Sequence, residues 1–427
     1  MTCFSIQNFG CRVNQAEAFG WAEELESSGL SLEKDAARAD LVIVNTCTLT
    51  SKADRDVRKF IRRVSRLNPR ARLVVAGCSV DGGRKRFEES PGIWLTALNR
   101  EKTELVEKIL SRVERGAAAE FSPLRSRALL KVQDGCDQRC AFCIIPLVRG
   151  ASRSEPQANI LARAQVLIQR GFREIVLCGI HLNSYGFDLR PPGSLSGLLR
   201  SLAGLDGLGR IRLSSLDPRY LNDPLIEWIT SSPKICPHFH LSLQHGSDRL
   251  LKLMARGSNT SEYSGILARL RRASPNAALG ADIIVGFPGE FDEDFEAVFE
   301  FLRSSPLDYL HVFSYSPRPG TPAAGRPQVP ETVKRERSAA LRAWSGERRL
   351  AFHRAFLSRE LEAIVVRKQG SAADVLTSNY IAVNVSTCSA AQGEEVRVKI
   401  LRAGPKQAAG EVVTSAGPYD PPLRVDG

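Results

Sequence analysis

The chain has 427 residues, of which 43% are hydrophobic and 25% charged, and its 59 Lys and Arg against 47 Asp and Glu give a formal net charge of +12. This is the composition of a soluble globular protein, and no apolar run approaches the roughly 20 residues that cross a bilayer, so no membrane partner is expected. The length predicts about three domains, and the basic excess favours a polyanionic partner.

The amino terminus, "MTCFSIQNFGCRVNQ", has no basic start, no sustained apolar stretch and no small-residue cleavage site. No secretory signal is read there, and the cytoplasm is the expected compartment. Ten cysteines at irregular spacing in a reducing compartment make a poor disulfide framework. Metal ligands, reactive thiols and buried core residues remain as explanations.

Three β-like runs each end on a cysteine, "FSIQNFGC" at Cys11, "LVIVNTC" at Cys47 and "RLVVAGC" at Cys78. Helical patterns, "AEAFGWAEELESSGL" and "ADRDVRKFIRRVSRL", lie between them. Such spacing fits strand, crossover helix and next strand, which makes the strands parallel. Parallel strands end on the same side, so the three cysteines are expected to converge on one edge of an open α/β sheet over residues 1–115. Residues 51–72 also concentrate basic side chains, nine against two acidic. Arg62, Arg63 and Arg66 are therefore expected to meet nucleic-acid phosphates.

From about 122 to 352 the alternation continues, with strands expected at "ALLKVQ", "EIVLCGI", "RIRLSSL", "HFHLSLQ", "ADIIVGF" and "YLHVFSY". Six strands with intervening helices predict a partial (β/α)6 barrel whose chemistry sits at the carboxyl-terminal mouth. A long basic helix is expected over 331–360, also against nucleic acid. Short strands with polar turns then predict a small β-barrel over 355–420.

At the mouth stands "DGCDQRCAFCIIPLVRG", with Cys136, Cys140 and Cys143 in a C-x3-C-x2-C loop. Structural zinc normally takes four protein ligands, whereas a four-iron cluster held by three cysteines keeps one iron open. Chemistry favours the cluster, with zinc as the alternative. Arg149 and Arg153, beside the loop, are candidates for phosphate or a cofactor carboxylate.

The loop, with Phe142 before its last cysteine, resembles the radical S-adenosylmethionine enzymes. "FGCRVNQ", "NTCTLTSKAD", "AGCSV", "IRLSSLDP", "DIIVGFPGE" and "LHVFSYSPRPGT" make the chain similar to the methylthiotransferases of that group. "GCRVNQ" and "NYIAV" are most like the branch acting on threonylcarbamoyladenosine in tRNA, and the tail resembles a TRAM domain. The resemblance implies two [4Fe-4S] clusters. One, on Cys136, Cys140 and Cys143, would bind and reductively cleave S-adenosylmethionine, and the resulting radical would take hydrogen from C2 of the adenine ring. The other, on Cys11, Cys47 and Cys78, would present the sulfur, and a second S-adenosylmethionine would supply the methyl group.

It further implies cofactor contacts near Gly179 and along "GFPGE" at Gly286, Gly289 and Glu290, an anticodon-loop adenosine as substrate, and an electron donor such as flavodoxin or ferredoxin. Ser242, His245 and Cys178 depart from the family's usual residues. Other branches modify isopentenyladenosine in tRNA or an aspartate of a ribosomal protein, and the positive charge disfavours the basic ribosomal partner. From a different class, a non-catalytic zinc-binding RNA adaptor would be colourless where clusters are brown.

Overall fold

Apolar runs too short for helices, each followed by a helical pattern, build the first unit. The computed structural model describes residues 2–90, 92–116 and 125–415. In it β1 (Cys3–Asn8), α1 (Arg12–Ser27), β2 (Ser31–Leu32), β3 (Leu41–Thr46), α2 (Ser51–Leu67), β4 (Arg72–Gly77), α3 (Cys78–Asp81), α4 (Arg84–Glu88), β5 (Ile93–Ala97) and α5 (Leu105–Leu110) follow in turn. The five strands form one sheet of order β2-β1-β3-β4-β5, parallel at every pairing. The three expected strands are its centre, and β2 and β5 extend its edges.

α1 has two apolar faces because it lies between two layers. Trp21, Ala22 and Leu25 pack on its own sheet, while Val13, Ala16 and Phe19 join the core of the next unit. α2 buries only one edge, through Val57, Ile61 and Val64. This i, i+4, i+7 spacing leaves the rest of the helix in water, and Thr50 caps it by accepting the Ala53 N–H at 3.2 Å.

The second unit runs through β6 (Ala128–Lys131), β7 (Gln133–Asp134), α6 (Ile145–Arg149), β8 (Arg153–Ser154), α7 (Gln157–Gln169), β9 (Glu174–Cys178), α8 (Leu195–Ala203) and β10 (Arg210–Leu213). It continues with α9 (Asp223–Ser231), β11 (His238–Gln244), α10 (Asp248–Leu253), α11 (Thr260–Ala273), β12 (Ala278–Val285), α12 (Asp292–Ser304) and β13 (Tyr309–Ser314). Two parallel three-stranded sheets, β6-β9-β10 and β11-β12-β13, are joined by single bridges at Ile211–Ile235 and Leu216–Leu241. The result is the expected six-stranded partial barrel, open between β6 and β13.

α13 (Glu331–Arg354) closes this unit and corrects one expectation for two of its cations, while Arg335, Arg342 and Arg354 stay exposed. Two of its cations are buried against the barrel: Lys334 is 2% exposed and Arg337 6%. Arg337 is bound to Glu290 at 2.7 Å and Asp292 at 2.6 Å. Those charges are spent on holding the helix, not on nucleic acid.

β14 (Glu360–Gln369), β15 (Ala372–Thr377), β16 (Ala382–Val385), β17 (Glu395–Arg402) and β18 (Ala408–Ser415) form a closed barrel around Val365, Val375, Val383 and Val398. Residues 416–420 of the expected third unit, and most of the junction expected between 115 and 122, lie outside the described residues. The small barrel docks on the amino ends of the larger one: Arg210 Nε donates to Glu395 at 3.0 Å and Arg212 Nη1 to the Ser378 carbonyl at 3.0 Å.

Candidate active site

The amino-terminal trio sits where the parallel strands end. Cys11 precedes α1, Cys47 follows β3 and Cys78 opens α3. Gly10 makes the approach: its φ is +121°, and a Cβ there would lie 2.6 Å from Cys47 Cβ and 2.9 Å from its sulfur. Cys11 Sγ donates to Asn14 Oδ1 at 3.4 Å, and Asn99 Nδ2 donates to Cys78 Sγ at 3.5 Å. Burial pushes the Cys11 thiol up and Cys47 to about 12, and the neighbouring thiols add to the shift at Cys47.

The second trio lies on the loop after β7. Gln138 N–H donates to Cys136 Sγ at 3.4 Å, and Arg256 Nη1 donates to Cys140 Sγ at 3.7 Å. Burial raises Cys136 and takes Cys143 to about 12. Thiols raised in this way would release protons on binding metal as thiolates. Among the described residues, neither trio brings its three sulfurs within 4.8 Å of one another. One tetrahedral zinc gathers thiolates to about 3.8 Å. In neither trio, then, are all three sulfurs as close as one zinc would hold them, and three thiols suit a cluster that keeps one iron open.

The amino-terminal trio meets the segment that follows Cys143. Ile144 and Val148 pack directly on Cys78, and Asn99 Nδ2, besides its bond to Cys78, donates to the Val148 carbonyl at 2.9 Å. Arg149 then enters the seam. Its side chain is fully buried and donates to Glu17 at 3.0 Å, Asp134 at 2.7 Å and Asn14 at 2.6 Å. Glu17 also pairs with Lys102 at 2.5 Å and Lys131 at 3.2 Å. Burial opposes the charge on Arg149, but Glu17, Cys78 and Asp134 outweigh it and hold the guanidinium charged. Burial likewise opposes ionisation of Glu17, and Lys102, Arg149 and Lys131 overcome it.

Arg149 is thus no phosphate contact: its side chain has no exposed surface, and both terminal nitrogens are already bound, with only Nε left without a partner among the described residues. Arg153 remains exposed on β8, and Arg62, Arg63 and Arg66 are exposed on α2.

At the barrel mouth Gly179 is wedged between Leu182 and Gln133. Gln133 Oε1 accepts the His181 N–H at 2.8 Å, and His181 faces Asp217 at 3.3 Å. Burial raises the Asp217 carboxyl, but His181, Arg219 and Arg256 hold it well below the usual range. Just beyond β9 and β10, Asn183 Nδ2 and the hydroxyls of Ser214 and Ser215 have no hydrogen-bond partner among the described residues. Buried polar atoms without partners are costly, and a polar cofactor at this rim would satisfy them. Sequence reasoning missed Arg256 and Asn99, for which no local signal exists; Asn14 lay in the quoted "GCRVNQ".

The expected contact through Glu290 needs correction. Its carboxylate turns into its own loop, accepting the Phe287 N–H at 3.0 Å and Arg337 at 2.7 Å. Gly286 is also taken up, since a Cβ there would lie 2.3 Å from Lys334 Cγ, whereas Gly289 is exposed at the turn. His245 is fully buried and accepts the Ser247 N–H at 3.0 Å. Ser242 supports Arg256, whose Nη2 donates to its carbonyl at 2.9 Å, and Cys178 is core.

Comparison with known proteins agrees with this architecture. Residues 3–95 match the Uncharacterized protein family UPF0004, and residues 130–302 match the Radical SAM superfamily. Among solved structures, the radical S-adenosylmethionine methyltransferase TsrM from Kitasatospora setae superimposes with a TM-score of 0.56 over 76% of this chain and 77% of that one. At 14% identity this shows the fold alone. The chain is 37% identical to a tRNA-2-methylthio-N(6)-dimethylallyladenosine synthase of Cereibacter sphaeroides, over 95% of this chain and 97% of that one. It is 35% identical to the threonylcarbamoyladenosine tRNA methylthiotransferase MtaB of Aquifex aeolicus, covering 88% and 95%, and 39% identical to that of Rickettsia prowazekii, covering 79% and 81%. Identity of this degree, sustained over nearly the full length of such relatives, places the chain in the radical S-adenosylmethionine methylthiotransferase family.

Proposed function

We propose that this enzyme adds a methylthio group to C2 of N6-threonylcarbamoyladenosine at position 37 of tRNA. Cys136, Cys140 and Cys143 hold the cluster that engages S-adenosylmethionine, and Cys11, Cys47 and Cys78 hold the second cluster. Together these groups supply a carbon-centred radical and a transferable sulfur. The protein sets the amino-terminal trio against the segment that follows Cys143 and closes the seam between the two units with the buried Arg149 and Glu17.

The observation that carries the choice of substrate is the meeting of the two segments most like the threonylcarbamoyl branch. Arg12 of "GCRVNQ" donates through Nη2 to the Tyr380 hydroxyl of "NYIAV" at 3.2 Å. The two segments, one on the first unit and one on the third, therefore meet in space. The second reading, dimethylallyladenosine (isopentenyladenosine) in tRNA, has the relative at 37% identity in its favour. Nucleoside analysis of tRNA from cells with and without the gene separates them. Loss of methylthio-threonylcarbamoyladenosine alone is expected, and loss of the dimethylallyl product instead would overturn the assignment.

Arg62, Arg63 and Arg66, with Arg153, are proposed to hold the tRNA backbone in the cytoplasm, with flavodoxin or ferredoxin as electron donor. Reversing Arg62, Arg63 and Arg66 to Glu is expected to weaken binding and to flatten its log-log salt dependence by about one unit per lost phosphate contact. An unchanged slope would remove α2 from the footprint.

A further inference from the structure

Three adjacent strands place three side chains of metal-ligating type on the inner wall of the partial barrel, outside both cysteine trios. Phe239, Leu241, Ile283 and Leu310 point outward into the core under the helices. Alternation then turns His240, Asp282 and His311 to the opposite, concave face. Asp282 stands directly across the ladder from His311, and His240 lies on the strand to the other side.

Their ligand atoms lie within 4.8 Å of one another. His240 Nε2 is 2.9 Å from Asp282 Oδ1, and His311 Nδ1 is 3.6 Å from the same oxygen. Two ligands bound at about 2.1 Å to one ion lie about 3.0–3.4 Å apart, so the trio is nearly gathered around a common centre. His240, 7% exposed, and the half-exposed His311 both turn a ring nitrogen to the same Asp282 oxygen, a His–Asp–His arrangement that one ion could bridge.

The other ring nitrogen is held. His240 Nδ1 meets the Tyr309 hydroxyl at 3.1 Å, and that hydroxyl meets His238 Nε2 at 2.7 Å. With Nδ1 held by Tyr309, Nε2 is the ring nitrogen turned to Asp282, the arrangement that outer partners give metal-bound histidines. Gly280 makes the arrangement fit, since a Cβ there would lie 2.1 Å from the Tyr309 ring. His311, on the edge strand and half exposed, leaves an entry path and open coordination positions.

We propose that His240, Asp282 and His311 form a site for one divalent transition-metal ion, a two-histidine, one-carboxylate set separate from the iron–sulfur clusters. The test uses full-length protein carrying its clusters, dialysed without oxygen against buffered zinc, with zinc and iron measured by elemental analysis. Wild type is expected to take up one zinc beyond its cluster iron. Asp282→Asn, isosteric and uncharged, is expected to bind zinc about 100-fold more weakly or worse at equal iron content. His311→Gln, at a half-exposed position with little folding cost, is expected to show the same loss. Equal zinc uptake by wild type and His311→Gln, or none by wild type, would overturn the proposal.

Discussion

Replacing Cys136, Cys140 or Cys143 by Ala is expected to abolish both S-adenosylmethionine cleavage and methylthiolated product, whereas Cys11→Ala abolishes the product alone. The first three share one loop, and on the proposed assignment a missing ligand there removes the group that would pass the electron. Cys11 belongs to the other sheet, so its loss leaves that path intact, and the variant should retain about half of the iron and still form 5′-deoxyadenosine. The structure also ranks the amino-terminal variants. Cys78 packs on Ile144 and Val148, so truncating it disturbs the segment following the triplet. Cys47 is 3% exposed against Gly10, and truncation leaves a void worth about 1 kcal/mol. Cys11 is only partly buried and gives the cleanest separation. Circular dichroism establishes that each variant is folded. A folded Cys11→Ala enzyme making product at the parental rate would show that this trio is ordinary core.

The cysteines were legible because their signals are local. A C-x3-C-x2-C loop reads without knowledge of the fold, and a cysteine at the end of each of three parallel strands needs only the strand–helix–strand spacing to predict convergence. The arginines were not legible in that way. Arg149 opens the exposed-looking "RGASRS", yet its partner Glu17 is 132 residues away, on α1 of the first unit. Burial of that kind arises from how two units dock, which no window of sequence contains. Lys334 and Arg337 fail for the same reason, since α13 turns them onto the loop held by Glu290. His240, Asp282 and His311 each sit in a correctly expected strand, but their meeting depends on the order β11-β12-β13.

Arg149→Met is expected to destabilise the protein by about 3–5 kcal/mol, because it removes one partner from a buried ionic network and leaves the others in place. Five charged groups meet there: Glu17 and Asp134 against Arg149, Lys102 and Lys131. Without Arg149 the two carboxylates share two lysines, and Asn14 Oδ1 loses its closer donor and keeps only the Cys11 thiol. Arg149→Lys keeps the charge but cannot fork to Glu17, Asp134 and Asn14 together, so a loss of about 1–3 kcal/mol is expected. Arg153→Met, at an exposed position, should leave stability within about 0.5 kcal/mol. The salt dependence of tRNA binding separates burial from phosphate contact. A folded Arg149→Lys enzyme should keep the parental log-log slope, since the side chain never reaches the backbone. A slope flattened by about one unit, with stability unchanged, would return Arg149 to the surface and break the seam that joins the two cysteine trios.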